Sequence, residues 1–171
     1  MVGYHGTLQS QFASIKREKF HLSTGDKEWL GPGIYFFAEY ENAVWWAKTE
    51  AIKRVKTKTK NQSFVIQVNI WYKDSEYLDL DLAPDREQYE SLVAQIESRL
   101  KKIPCFDKFD HATAKKLRRC FYCKLLFRGT PIKVLSCTFP TGYDKYDIPI
   151  NRKQHCVSGN KPIEIVCGKV V

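Results

Sequence analysis

Apolar residues along the chain follow two rhythms. Across 63–72, Phe64, Ile66, Val68 and Ile70 alternate with Val65, Gln67 and Asn69, which predicts a strand with one apolar face. Across 8–19, Leu8, Phe12 and Ile15 keep helical spacing, with Thr7 placed to cap the helix. A short strand at 2–4 runs into Gly6 just ahead of that helix. Residues 21–29 are polar and mixed, and they predict a loop. Gly31-Pro32-Gly33 marks a turn, followed by a short apolar strand at 34–37. A second helix is predicted at 41–58, basic toward its end as the C-terminal helix dipole favours. Residues 77–82 are extended. Residues 85–101 form an amphipathic helix on Tyr89, Leu92, Val93, Ile96 and Leu100. A strongly basic helix at 112–127 precedes strands at 132–139, 155–157 and 163–170. Helices and strands are interspersed, with strands concentrated in the second half, so the predicted class is α+β.

The length of 171 residues fits one domain with its own core. No apolar run approaches the ~20 residues of a membrane span, and no basic-then-apolar leader opens the chain. The six cysteines therefore read as reduced thiols, and a cytoplasmic location is expected. A formal charge of +9 favours an anionic partner, nucleic acid first among them. The basic stretches 53–60 and 115–119 are either solvated helix faces or a groove for a phosphate backbone, with Phe121, Tyr122 and Phe127 as core or base-stacking residues. Cys120 and Cys123 form a lone Cys-x-x-Cys. With Cys105 and His111 it has some of the makings of a zinc site, but without a second pair it reads as core thiols, and no metal is expected.

Three segments carry candidate chemistry. In Tyr4-His5-Gly6-Thr7, a histidine at a strand–helix junction can donate to a sugar hydroxyl, and the glycine lets a flat ligand approach the backbone. In Leu30-Gly31-Pro32-Gly33-Ile34-Tyr35-Phe36, Tyr35 sits on a strand, and Trp46 follows on the next helix. Two such aromatics can sandwich a planar ring. Adjacent helical residues face different ways, so one of Trp45 and Trp46 faces the ligand, and Trp46 is the candidate. The third segment is Gln154-His155-Cys156-Val157.

The ordered series Tyr-His-Gly-Thr, a serine loop at Ser23, Leu-Gly-x-Gly-Ile-Tyr-Phe, and a helix with Ala43 and Trp46-Ala47 resembles the ADP-ribosyltransferase superfamily. Within it, the chain is similar to the His-Tyr-Glu branch of poly(ADP-ribose) polymerase catalytic domains, diphtheria-type toxins and small bacterial or phage members. The resemblance is clear over residues 2–47 and weaker in the last strands. It implies split, mostly antiparallel sheets around an NAD cleft with flanking helices. It implies that His5 binds the adenosine-side ribose, that Gly6 holds the nicotinamide amide through its backbone, and that Tyr35 and Trp46 stack on the nicotinamide. Thr7 and Ser23 complete the implied NAD-binding set, and His5, Tyr35 and Gln154 the implied catalytic set.

Two positions depart from the family pattern. Ala43 replaces a serine that bonds the nicotinamide amide, and Gln154 (or, in a shifted register, Arg152) stands at the position of the catalytic glutamate. Glutamine can bond a ribose hydroxyl but cannot act as a base or offset cationic charge. Glu28, Glu39 and Glu41 are acids close by in sequence. The resemblance implies mono-ADP-ribosylation of a macromolecule; small size, one domain and the basic charge put nucleic acid ahead of protein and point to a toxin or defence effector, whose neutralising partner would be an antitoxin or immunity protein. The alternatives are a degenerate module that binds NAD, ADP-ribose or nucleic acid without catalysis, and an RNA 2′-phosphotransferase. Gly-x-Gly-Ile-Tyr-Phe argues against the latter.

Overall fold

The computed structural model describes residues 1–26, 28–51, 62–100, 104, 106 and 108–171. The chain is an α+β protein. Its strands are β1 (Val2–Leu8), β2 (Ile34–Phe37), β3 (Ser63–Ile70), β4 (Tyr77–Asp79), β5 (Val134–Tyr143), β6 (Pro149–Val157) and β7 (Ile163–Val170). They form one sheet in the order β4-β5-β6-β2-β1-β3-β7, antiparallel throughout except for the β4–β5 pair. Among the described residues four helices flank it: α1 (Gln9–Glu18), α2 (Tyr40–Trp46), α3 (Ala83–Glu97) and α4 (His111–Gly129).

Side-chain alternation along each strand divides the core between the two faces of the sheet. Phe64, Ile66, Val68 and Ile70 of β3 join Ile34, Phe36, Val134 and Val157, covered by Ile15 of α1 and Phe20. The alternation read from the sequence therefore names the correct face. On the other side, Leu135, Phe139 and Cys156 meet Cys123 and Leu126 of α4, with Tyr89 and Leu92 of α3 against them. Ala43 of α2 packs with Phe37 and Val65 on that same face, nearer β1.

Several boundaries differ from the sequence reading. Thr7 does not cap α1: it is a buried residue of β1, and Leu8 holds the cap position without a side-chain bond. The strand persists through Leu8 because all of residues 2–8 pair with β3. β3 ends at Ile70 rather than at residue 72. β6 begins at Pro149, well before residue 155, because it pairs with β5 along its whole length. α2 is α-helical only to Trp46 and passes into a π turn over Ala47–Ala51. The rest of the predicted helix, with the basic stretch 53–60, lies outside the described residues.

The expected split into two sheets is not found: all seven strands belong to one sheet, which is pinched between β1 and β2. β1 and β2 are joined at one registered pair, Tyr4 with Phe37, whereas β1 pairs with β3 over seven residues and β2 with β6 over four. Continuing that register would set His5 opposite Phe36 and Gly6 opposite Tyr35. Instead the strands diverge, and the gap between them opens a cleft.

Candidate active site

The cleft has a volume of about 780 Å³, within the range of small-molecule and cofactor sites. Four separated segments line it: His5, Gly6, Thr7 and Gln11; residues from His21 to Trp29; Gly33 to Phe37 with Trp46; and Gln154. Every residue singled out as a candidate from the sequence, His5, Gly6, Thr7, Ser23, Tyr35, Trp46 and Gln154, is among them.

His5 explains why the strands part. Its imidazole Nδ1 lies 2.9 Å from the Tyr35 carbonyl oxygen, where a β1–β2 backbone bond would otherwise run. The ring is wedged edge-on against Phe20 and Phe36, at centroid distances of 5.2 and 5.9 Å. Burial holds its pKa below the usual 6.5 against the opposing effect of the Tyr35 carbonyl, so the neutral ring prevails at neutral pH. A carbonyl only accepts, so Nδ1 carries the proton and Nε2 has a lone pair. In this tautomer the second ring nitrogen can accept a hydrogen bond, where the sequence suggested a donor.

Tyr35 is fixed by its tip. Its hydroxyl donates to the Gly31 carbonyl at 2.6 Å and accepts from the Leu30 amide at 2.8 Å. Gly31 can fold back toward it because it adopts φ +83°, a conformation that L side chains rarely take. Burial raises the Tyr35 pKa strongly, with Cys156 adding to it, so the hydroxyl stays protonated and the ring can act only by position. The ring is half-buried and contributes to the cleft wall.

Gly6 serves packing as well as the cleft. A Cβ there would lie 2.2 Å from the Ala43 carbonyl and 3.0 Å from the Ala47 amide. The absent side chain thus lets α2 sit directly on β1, rather than only admitting a ligand. Ala43 is fully buried in that contact and does not line the cleft. The two neighbouring tryptophans divide as helical geometry requires. Trp46 lines the cleft, and Trp45 is stacked on the Arg152 guanidinium at 3.7 Å.

Gln154 lies in the interior of β6, opposite Phe37 on one side and Cys137 on the other. Only 9% of it is exposed, and its amide makes no hydrogen bond among the described residues. Its amide is not among the buried polar atoms left without a partner, of which Arg119 Nε is the one found among the described residues, so the amide is reached from the cleft and is open to a polar ligand there. Arg152 is not an alternative in this register. It is buried, and it donates to Asn42 at 3.1 Å and to the Thr141 hydroxyl.

The segment ahead of the turn contributes more than the sequence indicated. Ser23 exchanges backbone bonds with Gly33, at 2.8 and 3.0 Å, and its hydroxyl donates to Glu28 Oε1. Glu28, Asp26 and Trp29 line the cleft, as does Gln11, which accepts from the Thr7 hydroxyl at 2.5 Å. Glu39 and Glu41 do not line it; both are exposed, and Glu39 accepts from Asn42 at 3.0 Å. Trp29 was the one bulky aromatic in a polar loop, and that contrast was the available signal for it.

Compared with protein-family models, with curated proteins and with solved structures, the chain matches none.

Outside the cleft, the basic segment of α4 divides. Lys115, Lys116 and Arg118 are exposed, while Arg119 is drawn in over the rings of Phe139 and Trp29, at 4.9 and 5.3 Å. Tyr122 is buried and donates to Glu97, and Phe127 packs on the core, so both are structural. Cys120 and Cys123 are buried, and burial pushes the Cys123 thiol up to about 12. Cys105 lies outside the described residues, among which no cluster of metal ligands occurs. No described helix is long and apolar enough to cross a membrane.

Proposed function

We propose that this chain is a mono-ADP-ribosyltransferase with an ADP-ribosyltransferase fold of the His-Tyr-Glu branch, transferring ADP-ribose from NAD to a macromolecule. The observation that carries this reading is the convergence of the motif residues on one cleft, where His5 offers an acceptor, Tyr35 and Trp46 offer ring faces, and Gln154 offers an unpartnered amide. The charge arrangement supports it as well. The reacting end of NAD is a cationic nicotinamide-ribose, and Glu28 and Asp26 bring negative charge to the cleft. The pyrophosphate is anionic, and the first turn of α1, which begins one residue beyond Leu8 at the end of β1, carries no acidic residue to repel it.

Nucleic acid is the favoured acceptor. Lys115, Lys116 and Arg118 are exposed on α4, and Lys116 lies 5.9 Å from the ring of Trp29 at the cleft wall. The five described cysteines are unpaired, as suits a reducing cytoplasm, where a toxin or defence effector of this kind would act and would need an antitoxin or immunity protein. A second reading is favoured by Gln154 standing where the family keeps a carboxylate: a module that binds NAD or ADP-ribose without turnover. Incubation with NAD labelled in the adenylate, together with cellular RNA, DNA and protein, separates the two. Label in the RNA or DNA fraction is expected. NAD binding with no label in any fraction and no nicotinamide release selects the binding module.

A further inference from the structure

We infer that Glu28 is a further catalytic residue, a carboxylate held by Ser23 that faces the nicotinamide-ribose bond and supplies the charge Gln154 lacks. The inference rests on the NAD reading above. Two acidic side chains line the cleft among the described residues, and Glu28 is the one that is anchored: Asp26 is exposed, whereas Glu28 is half-buried with Oε1 bound by the Ser23 hydroxyl. Ser23 in turn is tied through both backbone bonds to Gly33, two residues before Tyr35. The carboxylate is therefore registered to the strand that carries the stacking aromatic. Its charge also reaches the Tyr35 hydroxyl, whose proton it helps to retain. Oε2 has no hydrogen-bond partner among the described residues.

The chemistry needs such a group. The bond between ribose C1′ and the nicotinamide nitrogen breaks, and its electron pair leaves with the ring, which departs as neutral nicotinamide. The sugar then carries oxocarbenium-like charge, which a carboxylate offsets and an amide does not. An acceptor hydroxyl bonds to C1′, and its proton passes to the free Glu28 oxygen and on to water. Ser23 is a positioning residue, acting through Glu28.

The test uses the full chain, NAD labelled in the nicotinamide, and two readouts: equilibrium NAD binding and the rate of nicotinamide release. Glu28→Gln is expected to slow release about 100-fold or more and to leave NAD affinity within about threefold. Adding Gln154→Glu to that variant is expected to restore release at least about tenfold, because a negative charge is returned to the cleft that both residues line. A purely structural Glu28 would give no such rescue. Release at the wild-type rate in Glu28→Gln overturns the inference, as does a fall in binding that matches the fall in release. A wild-type chain that neither binds nor cleaves NAD rejects the NAD reading itself, an outcome told apart from these before any variant is made.

Discussion

Two polar regions lie on neighbouring strands and behave oppositely. Beside β4, the Lys153 amine bridges Asp79 and Asp81 at 2.5 and 3.1 Å, Asp81 accepts from the Thr138 amide and hydroxyl, and Ser136 Oγ lies 2.6 Å from His155 Nδ1. By residue type this network resembles an active site, since it holds a serine–histidine pair with acids near it. Yet Ser136 is fully buried, His155 is 5% exposed, and neither lines the cleft. One residue away on β6, Gln154 is nearly as buried and has no hydrogen-bond partner among the described residues. Folding consumes the hydrogen-bonding capacity of the first region and leaves that of the second open. Unspent capacity in a concave site leaves groups open to a ligand, whereas titratable groups already paired in the fold do not.

The largest expected effect breaks the scaffold that holds the open region. Gly6→Ala drives a Cβ into the Ala43 carbonyl, which is backbone and cannot turn aside. A loss of about 3 kcal/mol or more is expected in chemical denaturation, and a loss below about 0.5 kcal/mol would mean that α2 does not rest on β1 as described.

The closed network should carry pH dependence. Burial, aided by the Lys153 charge, lowers the His155 pKa to about 4. The unfolded chain therefore takes up a proton below about pH 6.5 that the folded chain refuses. Stability is full above that pH and is lost as pH falls toward 4, by about 3 kcal/mol in all. His5, also lowered by burial, adds in the same direction. Denaturation midpoints across this range should flatten in His155→Asn; an unchanged slope would show that His155 is not the group responsible.

His5 belongs to both regions in kind, since it fills a structural bond and faces the cleft. His5→Ala leaves the Tyr35 carbonyl without its partner, at about 1–3 kcal/mol, and should abolish NAD binding as well. Stability unchanged in this variant would mean that the pinch does not depend on the imidazole. The smallest stability effect is the most telling. Gln154→Leu removes an unpartnered amide and should leave stability unchanged or raise it by up to about 1 kcal/mol, while weakening NAD affinity about tenfold or more. A clear destabilisation would place Gln154 with the closed network instead.

Much of this was legible in the sequence, for reasons that differ by element. The β3 alternation divided Phe64, Ile66, Val68 and Ile70 from Val65 as the two faces of the sheet do, because a strand between two others must sort its residues by side. The motif segments converged because β1, β2 and β6 are neighbours in the sheet and α2 packs beside them. The pinch was not legible. It depends on which residues of β1 and β2 pair, and no local pattern around Tyr4 or Phe37 records that pairing stops there. Thr7 looked like a cap because its type and place ahead of a helix fit one, but pairing with Phe64 keeps it in the strand. Glu28 was visible as an acid near the motifs, and only the fold brings it to Ser23 and the cleft.

If the open region is an NAD site, thermal unfolding of the chain must respond to NAD. A ligand that binds only the folded chain raises the melting temperature with its concentration. Such a rise is expected for the wild-type chain, and it should need about tenfold more NAD or higher in Gln154→Leu and in Trp46→Ala; a wild-type melting temperature that stays flat as NAD is raised into the millimolar range would show that the open region is not an NAD site.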